Sequence, residues 1–286
     1  MKFLLITLFF LVSSLTHAEE LKVLSWNIFM IPKPVNMTYQ KERSVQIVEQ
    51  LKNSTYDILF FQEAFAASAR KRLMKNLSQH YPHMIVTSGK KFGTLQSSGL
   101  LVFSKHPARK IAEKVFRDCT KSDCLARKSA LLVEIDLPSG KKFQFINTHL
   151  QAWSTPKAIE VRRKQLMDIQ QLLSQHKLPG VPQYLVGDLN VDGLKPDEFQ
   201  SSLTLLSMEA SRLTGDIQTT NGFQIGCYKI PGSETQGEWL DHLWFDPKEN
   251  YRPSSSRVIP MYGDVKGKLC PLSDHHAVES IIPLAN

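Results

Sequence analysis

The sequence predicts a mixed α/β fold in which sheets pack face to face with helices on the outside. Three observations carry this. Stretches with strand spacing outnumber those with helical spacing, two strands join directly through a tight turn, and no linker or internal repeat divides the chain. Taking the elements in order, alternation over Leu21–Phe29 reads as a strand. Thr38–Leu51 has helical spacing, with Val45, Ile47, Val48 and Leu51 expected on one face. Asp57–Gln62 is a short apolar run of buried-strand type, and Ala66–Leu77 a second helix. Met84–Thr87 and Gly99–Ser104 follow as strands, the latter closed by His106-Pro107. Ala130–Asp136 and Lys142–Asn147 form a hairpin through Pro138-Ser139-Gly140. Pro156–Ser174 is the longest helix, with proline at its start, where its missing N–H costs nothing. Gln183–Val186 is another buried strand, Pro196–Leu206 a helix, and Trp239–Phe245 and His276–Ile282 the last strands. Asn250–Ser256, with three serines after Pro253, reads as a mobile loop.

The composition fits a globular chain. Its 286 residues are 42% hydrophobic and 22% charged, which excludes a disordered tail, and its 14 Gly and 15 Pro exclude a collagen-like repeat. The net charge of +8 favours anionic partners such as nucleic acid, acidic lipid or phosphate esters without choosing among them. Residues 1–18 read as a signal peptide. Lys2 is the positive start, Phe3–Val12 the apolar core, and Ser13, Ser14, Thr16 and Ala18 the cleavage region. That run is too short to span a bilayer, and no later stretch is long enough. An exported chain with Cys119, Cys124, Cys227 and Cys270 suggests two disulfides, of three possible connectivities. The close spacing of Cys119 and Cys124 favours a local bridge, which leaves Cys227 with Cys270.

Polar residues collect at the expected strand ends, where site residues converge in sheet proteins with outer helices. They are Trp26-Asn27, Gln62-Glu63, Asn147-Thr148-His149, Gly187-Asp188-Leu189-Asn190, Trp239-Leu240-Asp241-His242 and Ser273-Asp274-His275-His276. Each alone has a plain structural explanation: a solvated strand end for Glu63, a turn for Asp188–Asn190, a core imidazole for His149. His275 and His276 alternate, so only one of them is expected to face the others. The types are carboxylates, amides and imidazoles, with no cysteine or serine nucleophile among them.

In this order, SWN, QE, NTH, GDLN, LDH and SDH resemble the motif series of the DNase I-like endonuclease/exonuclease/phosphatase superfamily, from residue 21 to the C-terminus. Within it, NIFM at Asn27–Met30, EAF at Glu63–Phe65, THLQA at Thr148–Ala152 and the segment Val115–Leu131 resemble the secreted bacterial neutral sphingomyelinases. The resemblance implies a four-layer sandwich, two packed mixed β-sheets flanked by helices, as one catalytic domain over 19–286. It implies a secreted or periplasmic, monomeric, metal-dependent phosphodiesterase that meets sphingomyelin at membranes and releases ceramide and phosphocholine. Nucleic acid is not the expected partner. Mg²⁺, with Mn²⁺ or Co²⁺ as substitutes, would be held by Glu63 with Asn27 in support. His275 would be the general base for water, with Asp274 or a nearby carboxylate orienting its ring. Asp188 and Asn190 would position nucleophile and phosphate, His149 would donate to phosphoryl oxygens, and Asp241 would be a supporting residue. Two other readings stand beside this one: a secreted nuclease on the same scaffold, and a catalytically dead surface-binding protein. Haemolytic relatives carry an exposed aromatic hairpin before SDH. Here Pro260–Pro271 has only Tyr262 as an aromatic, with Asp264, Lys266 and Lys268. Trp153 could meet a choline headgroup by cation–π attraction or pack under the long helix.

Overall fold

The computed structural model describes residues 19–32, 38–87, 97–221, 224–225, 227–229 and 237–284; the expected signal peptide lies outside them. The first half of the chain forms β1 (Glu20–Asn27), α1 (Gln40–Leu51), β2 (Ile58–Gln62), α2 (Ala67–Leu77), β3 (His83–Val86), β4 (Leu101–Ser104), β5 (Ala108–Val115), β6 (Ser129–Asp136) and β7 (Lys142–His149). The second half forms α3 (Pro156–Gln175), β8 (Gln183–Asp188), α4 (Pro196–Leu206), β9 (Glu209–Ala210), β10 (Leu213–Thr214), β11 (Gln224–Ile225) and β12 (Tyr228–Lys229). It closes with β13 (Asp241–Phe245), β14 (Ser255–Ile259), β15 (Tyr262–Val265), β16 (Lys268–Pro271) and β17 (Ala277–Pro283).

Two mixed sheets dominate, in the orders β10-β14-β17-β1-β2-β4-β3 and β5-β6-β7-β8-β13-β9. Alternation in the strands decides how they stack, because successive side chains point to opposite faces. Leu21 and Val23 of β1 and Ile58 and Phe60 of β2 meet Phe143 and Phe145 of β7 and Tyr184 and Val186 of β8 in a core between the sheets. Leu24, Trp26, Leu59 and Phe61 point the other way, under α1 and α2. Ile146 and Leu185 lie under α3 and α4 with Leu166, Ile169 and Leu203. The result is the expected four layers, each sheet buried on both faces.

Several expectations need correction. The buried stripe of α1 is Gln40, Arg43, Ser44, Ile47, Val48 and Leu51, and Val45 is exposed. Arg43 takes a core position because its guanidinium donates to the carbonyls of Ile28, Phe29, Thr38 and Leu272, at 2.6–3.1 Å. The serine-rich Asn250–Ser256 is not all loop. Ser255 and Ser256 enter β14, where the buried Ser256 hydroxyl shares hydrogen bonds with Ser211 and Ser280, each at 2.6 Å. The last strand begins at Ala277, and His275 precedes it in an isolated bridge with Thr220. Pro260–Pro271 contains the β15–β16 hairpin, which exposes Tyr262 and Leu269. Disulfides join Cys119 to Cys124 and Cys227 to Cys270. Trp153 is half exposed rather than packed under α3, with the Lys121 ammonium 4.9 Å from its ring centre.

Candidate active site

Register brings the strand ends together. β1 and β2 run parallel with Asn27 beside Gln62, so Glu63 follows directly next to Asn27. In the other sheet, β7 and β8 run parallel with His149 beside Asp188, and antiparallel β13 places Asp241 on the other side of Asp188. The two sheets are tied together beneath these ends by amides. Gln62 Nε2 donates to Asn147 Oδ1 at 2.9 Å, and Asn147 Nδ2 donates to the Phe61 carbonyl at 3.2 Å. Gly187 is required at this junction. Its φ is +136°, and a Cβ there would stand 2.1 Å from the Thr148 carbonyl oxygen.

The side chains above this floor form one buried cluster. Asn27 Nδ2 donates to Glu63 Oε1 at 3.1 Å and to Asp188 Oδ2 at 2.9 Å, while its Oδ1 accepts from the Phe29 amide. His149 lies between the same two carboxylates, Nδ1 3.7 Å from Glu63 and Nε2 3.4 Å from Asp188. His275 meets Asp241 Oδ2 through Nδ1 at 2.7 Å, and its Nε2 is 3.7 Å from Asp188. Its carbonyl accepts from the Trp26 indole at 2.9 Å, which fixes the backbone beneath the ring. Thr219 Oγ1 accepts from the amides of Leu240 and Asp241 and so sets the start of β13. Asn190 points its amide nitrogen at the Leu150 carbonyl, 3.2 Å away. Glu63 and Asn190 both sit at positive φ, +54° and +51°, a conformation that side chains adopt only when their surroundings hold them there.

The structure thus brings Asn27, Glu63, His149, Asp188, Asn190, Asp241 and His275 into one network. The carboxylate that orients His275 is Asp241. Asp274, the residue named first for that part, instead accepts from Ser273 Oγ at 3.2 Å. His276 turns away to contact the Tyr262 ring. Gln62, Asn147, Arg43 and Thr219 also shape the site. Gln62 and Asn147 were visible as polar strand ends, whereas nothing local marks Arg43, which sits at an apolar position of a helical stripe.

Burial and crowding of carboxylates set the electrostatics. Burial, with Asp274 adding to it, pushes the Glu63 carboxyl up to about 8. Burial, helped by the Lys128 ammonium, holds the His149 imidazole down at about 3, so it is neutral at pH 7. Burial would lower His275 too, but Asp241 and Asp188 together raise it well above the ordinary imidazole value. Lys128 is itself buried, held by Asp123 at 3.0 Å and by the Leu150 carbonyl. Glu63 Oε2 and Asp241 Oδ1 are buried with no hydrogen-bond partner, an arrangement costly for carboxylates unless something positive meets them. Asp188, Asp241 and His275 each offer a ligand atom, all within 4.8 Å of one another. A donor set rich in carboxylate oxygen, with orphaned oxygens, fits a divalent cation.

Residues 24–275 match the Endonuclease/Exonuclease/phosphatase family. The chain is 30% identical over 217 residues to sphingomyelinase C 2 of Leptospira interrogans serovar Lai, and 27% identical over 269 residues to another sphingomyelinase C of Leptospira interrogans. These alignments cover 68% and 85% of this chain but only 34% and 47% of those relatives, so the chain spans about a third to a half of their length. Among solved structures, a beta toxin mutant from Staphylococcus aureus with bound magnesium ions superposes with a TM-score of 0.79 at 22% identity. The match covers 92% of this chain and 99% of that one.

Proposed function

The chain belongs to the Endonuclease/Exonuclease/phosphatase family, and from that premise we propose that it is a metal-dependent phosphodiesterase hydrolysing sphingomyelin to ceramide and phosphocholine. The observation that carries the reading is the buried network of two imidazoles and three carboxylates, two of whose oxygens lack partners. The sphingomyelinase names of the similar chains, at 27–30% identity, support the choice of lipid substrate.

Glu63 would hold the cation, with Asn27 on its flank, and Mg²⁺ suits such oxygen donors. A divalent cation there would offset carboxylate charge and polarise the phosphoryl oxygens. The chain's own residues do the rest. Asp241 fixes the His275 ring through Nδ1, leaving Nε2 to take a proton from water attacking phosphorus. Asp241 and Asp188 raise that imidazole well above its ordinary value and stabilise the imidazolium it becomes. With their charge offset by the cation, Nε2 would be free to accept the proton. Neutral His149 donates an N–H to the phosphoryl oxygens as charge builds. Asp188 and Asn190 align water and phosphate. Asp274 shapes the charge around Glu63 from behind. No covalent enzyme intermediate is needed.

The protein acts outside the cytoplasm in this reading, on sphingomyelin in a membrane surface. No helix among the described residues is long and apolar enough to cross a membrane. Hydrolysis of sphingomyelin in ¹⁸O-labelled water tests the route. Direct attack on phosphorus places the label in phosphocholine and leaves ceramide unlabelled. Free choline with ceramide phosphate as products would reject the assignment.

A further inference from the structure

Helix α2 carries Arg70, Lys71, Arg72 and Lys75 and no acidic residue in its 11 positions. Lys71 and Lys75 are four residues apart on one exposed face, a spacing at which like charges repel. Among the described residues none of these four cations forms an ion pair. Lysines on the other outer helices do: Lys52, which caps α1, reaches Glu49 at 2.6 Å, and Lys157 and Lys164 of α3 reach Glu160 at 3.0 and 3.2 Å. Arg72 is tied to α1 through Ser44 Oγ at 2.7 Å, and Arg70 to the Ala64 carbonyl at 3.1 Å. The two lysines are left facing outward.

Beside them runs a groove of 460 Å³ between α2 and the edge strand β3, lined by Ala67, Arg70, Lys71, Met74, Lys75 and Met84. Its floor is thioether and methyl, and its rim is cationic. Ala67 at one end lies four residues after Glu63, whereas Met84 pairs with Phe103 and Phe103 with Leu59 near the start of β2. The groove therefore runs along the flank of the sheet from the end that holds the buried network toward the opposite end. No aromatic side chain lines it, as stacking on the bases of a single-stranded nucleic acid would require. Unpaired ammonium groups above soft apolar side chains complement an acidic headgroup lying over the glycerol and first methylenes of a lipid.

We infer that the α2–β3 groove docks on bilayers containing acidic phospholipid and keeps the protein at the membrane surface. The docking is independent of which lipid is hydrolysed, so it stands or falls apart from the activity proposed above.

Cosedimentation of the full chain with vesicles tests it, without turnover. Binding to phosphatidylcholine vesicles containing phosphatidylglycerol exceeds binding to phosphatidylcholine alone, and falls as salt rises to about 1 M, where the screening length is about 3 Å. Lys71→Gln and Lys75→Gln each weaken binding about fivefold and together about twenty-five-fold. The double arginine variant, Lys71→Arg with Lys75→Arg, keeps it. Hydrolysis of a water-soluble phosphodiester is unchanged in all of them. Equal binding by wild type and the double glutamine variant overturns the inference, as does equal binding to both vesicle types. So does a double glutamine variant that loses DNA binding while keeping vesicle binding.

Discussion

Asp241 and His275 are separated by 34 residues in the chain and by 2.7 Å in the fold. The sequence offers Asp274, next to His275, as the obvious orienting carboxylate. Adjacency misleads here because Asp274 lies in a bend where its carboxylate accepts from Ser273, while β13 delivers Asp241 from the other sheet. Glu63, His149 and Asp188 were legible because each ends a short apolar strand. Arg43 was not, because a charged residue satisfied by four carbonyls leaves no local signature. Replacing Asp241 with Asn keeps the shape but removes the anion that raises His275. Turnover should fall roughly 10²–10⁴-fold. The acid limb of the kcat/KM profile should move to lower pH, because His275 then gives up its proton more easily. A limb that stays in place or moves up would show that Asp241 does not control this imidazole.

Among the elements, the paired strands and long helices follow the alternation and helical spacing of the sequence. Those missed were β5, the short strands β9 to β12, β14, β15 and β16. β5 is a charged edge strand, and edges carry polar residues that blur the period of two. The junction of β7 and β8 is where packing is least forgiving. Gly187→Ala would force a Cβ against the Thr148 carbonyl directly below His149 and Asp188. We expect a loss of about 3 kcal/mol in stability and of most activity, read as a lower urea midpoint. An unchanged midpoint would mean the strands can part without cost. The Cys227–Cys270 bridge closes a loop with a sequence separation of 43 and pins β16, whereas Cys119–Cys124 closes one of only 5. Loop entropy gives the longer bridge about 4 kcal/mol and the shorter about 2 kcal/mol. Paired serine variants at each bridge should rank in that order in chemical unfolding. The reverse order would place the stabilisation in local contacts.

For the whole molecule, two sheets with helices outside were legible from element types alone, and the order of the motifs pointed to the four-layer arrangement. The basic groove was not legible, because it needs α2 and β3 side by side. The assembled site should respond to metal and pH together. Glu63, pushed up to about 8, holds a proton in the metal-free protein at neutral pH, and a cation must displace it. Mg²⁺ affinity, read as a thermal upshift, should therefore rise about tenfold per pH unit and level off above about 8. An upshift larger in acid would contradict a carboxylate that ionises on binding. In our proposal the buried network is a metal-dependent phosphodiesterase centre acting on sphingomyelin. Phosphocholine release from sphingomyelin vesicles by the purified chain, measured with Mg²⁺ and then with EDTA and with plasmid DNA in parallel, decides it. Release should be abolished by EDTA and restored by Mg²⁺, with DNA intact. Nicked DNA without phosphocholine, or release indifferent to EDTA, would contradict it.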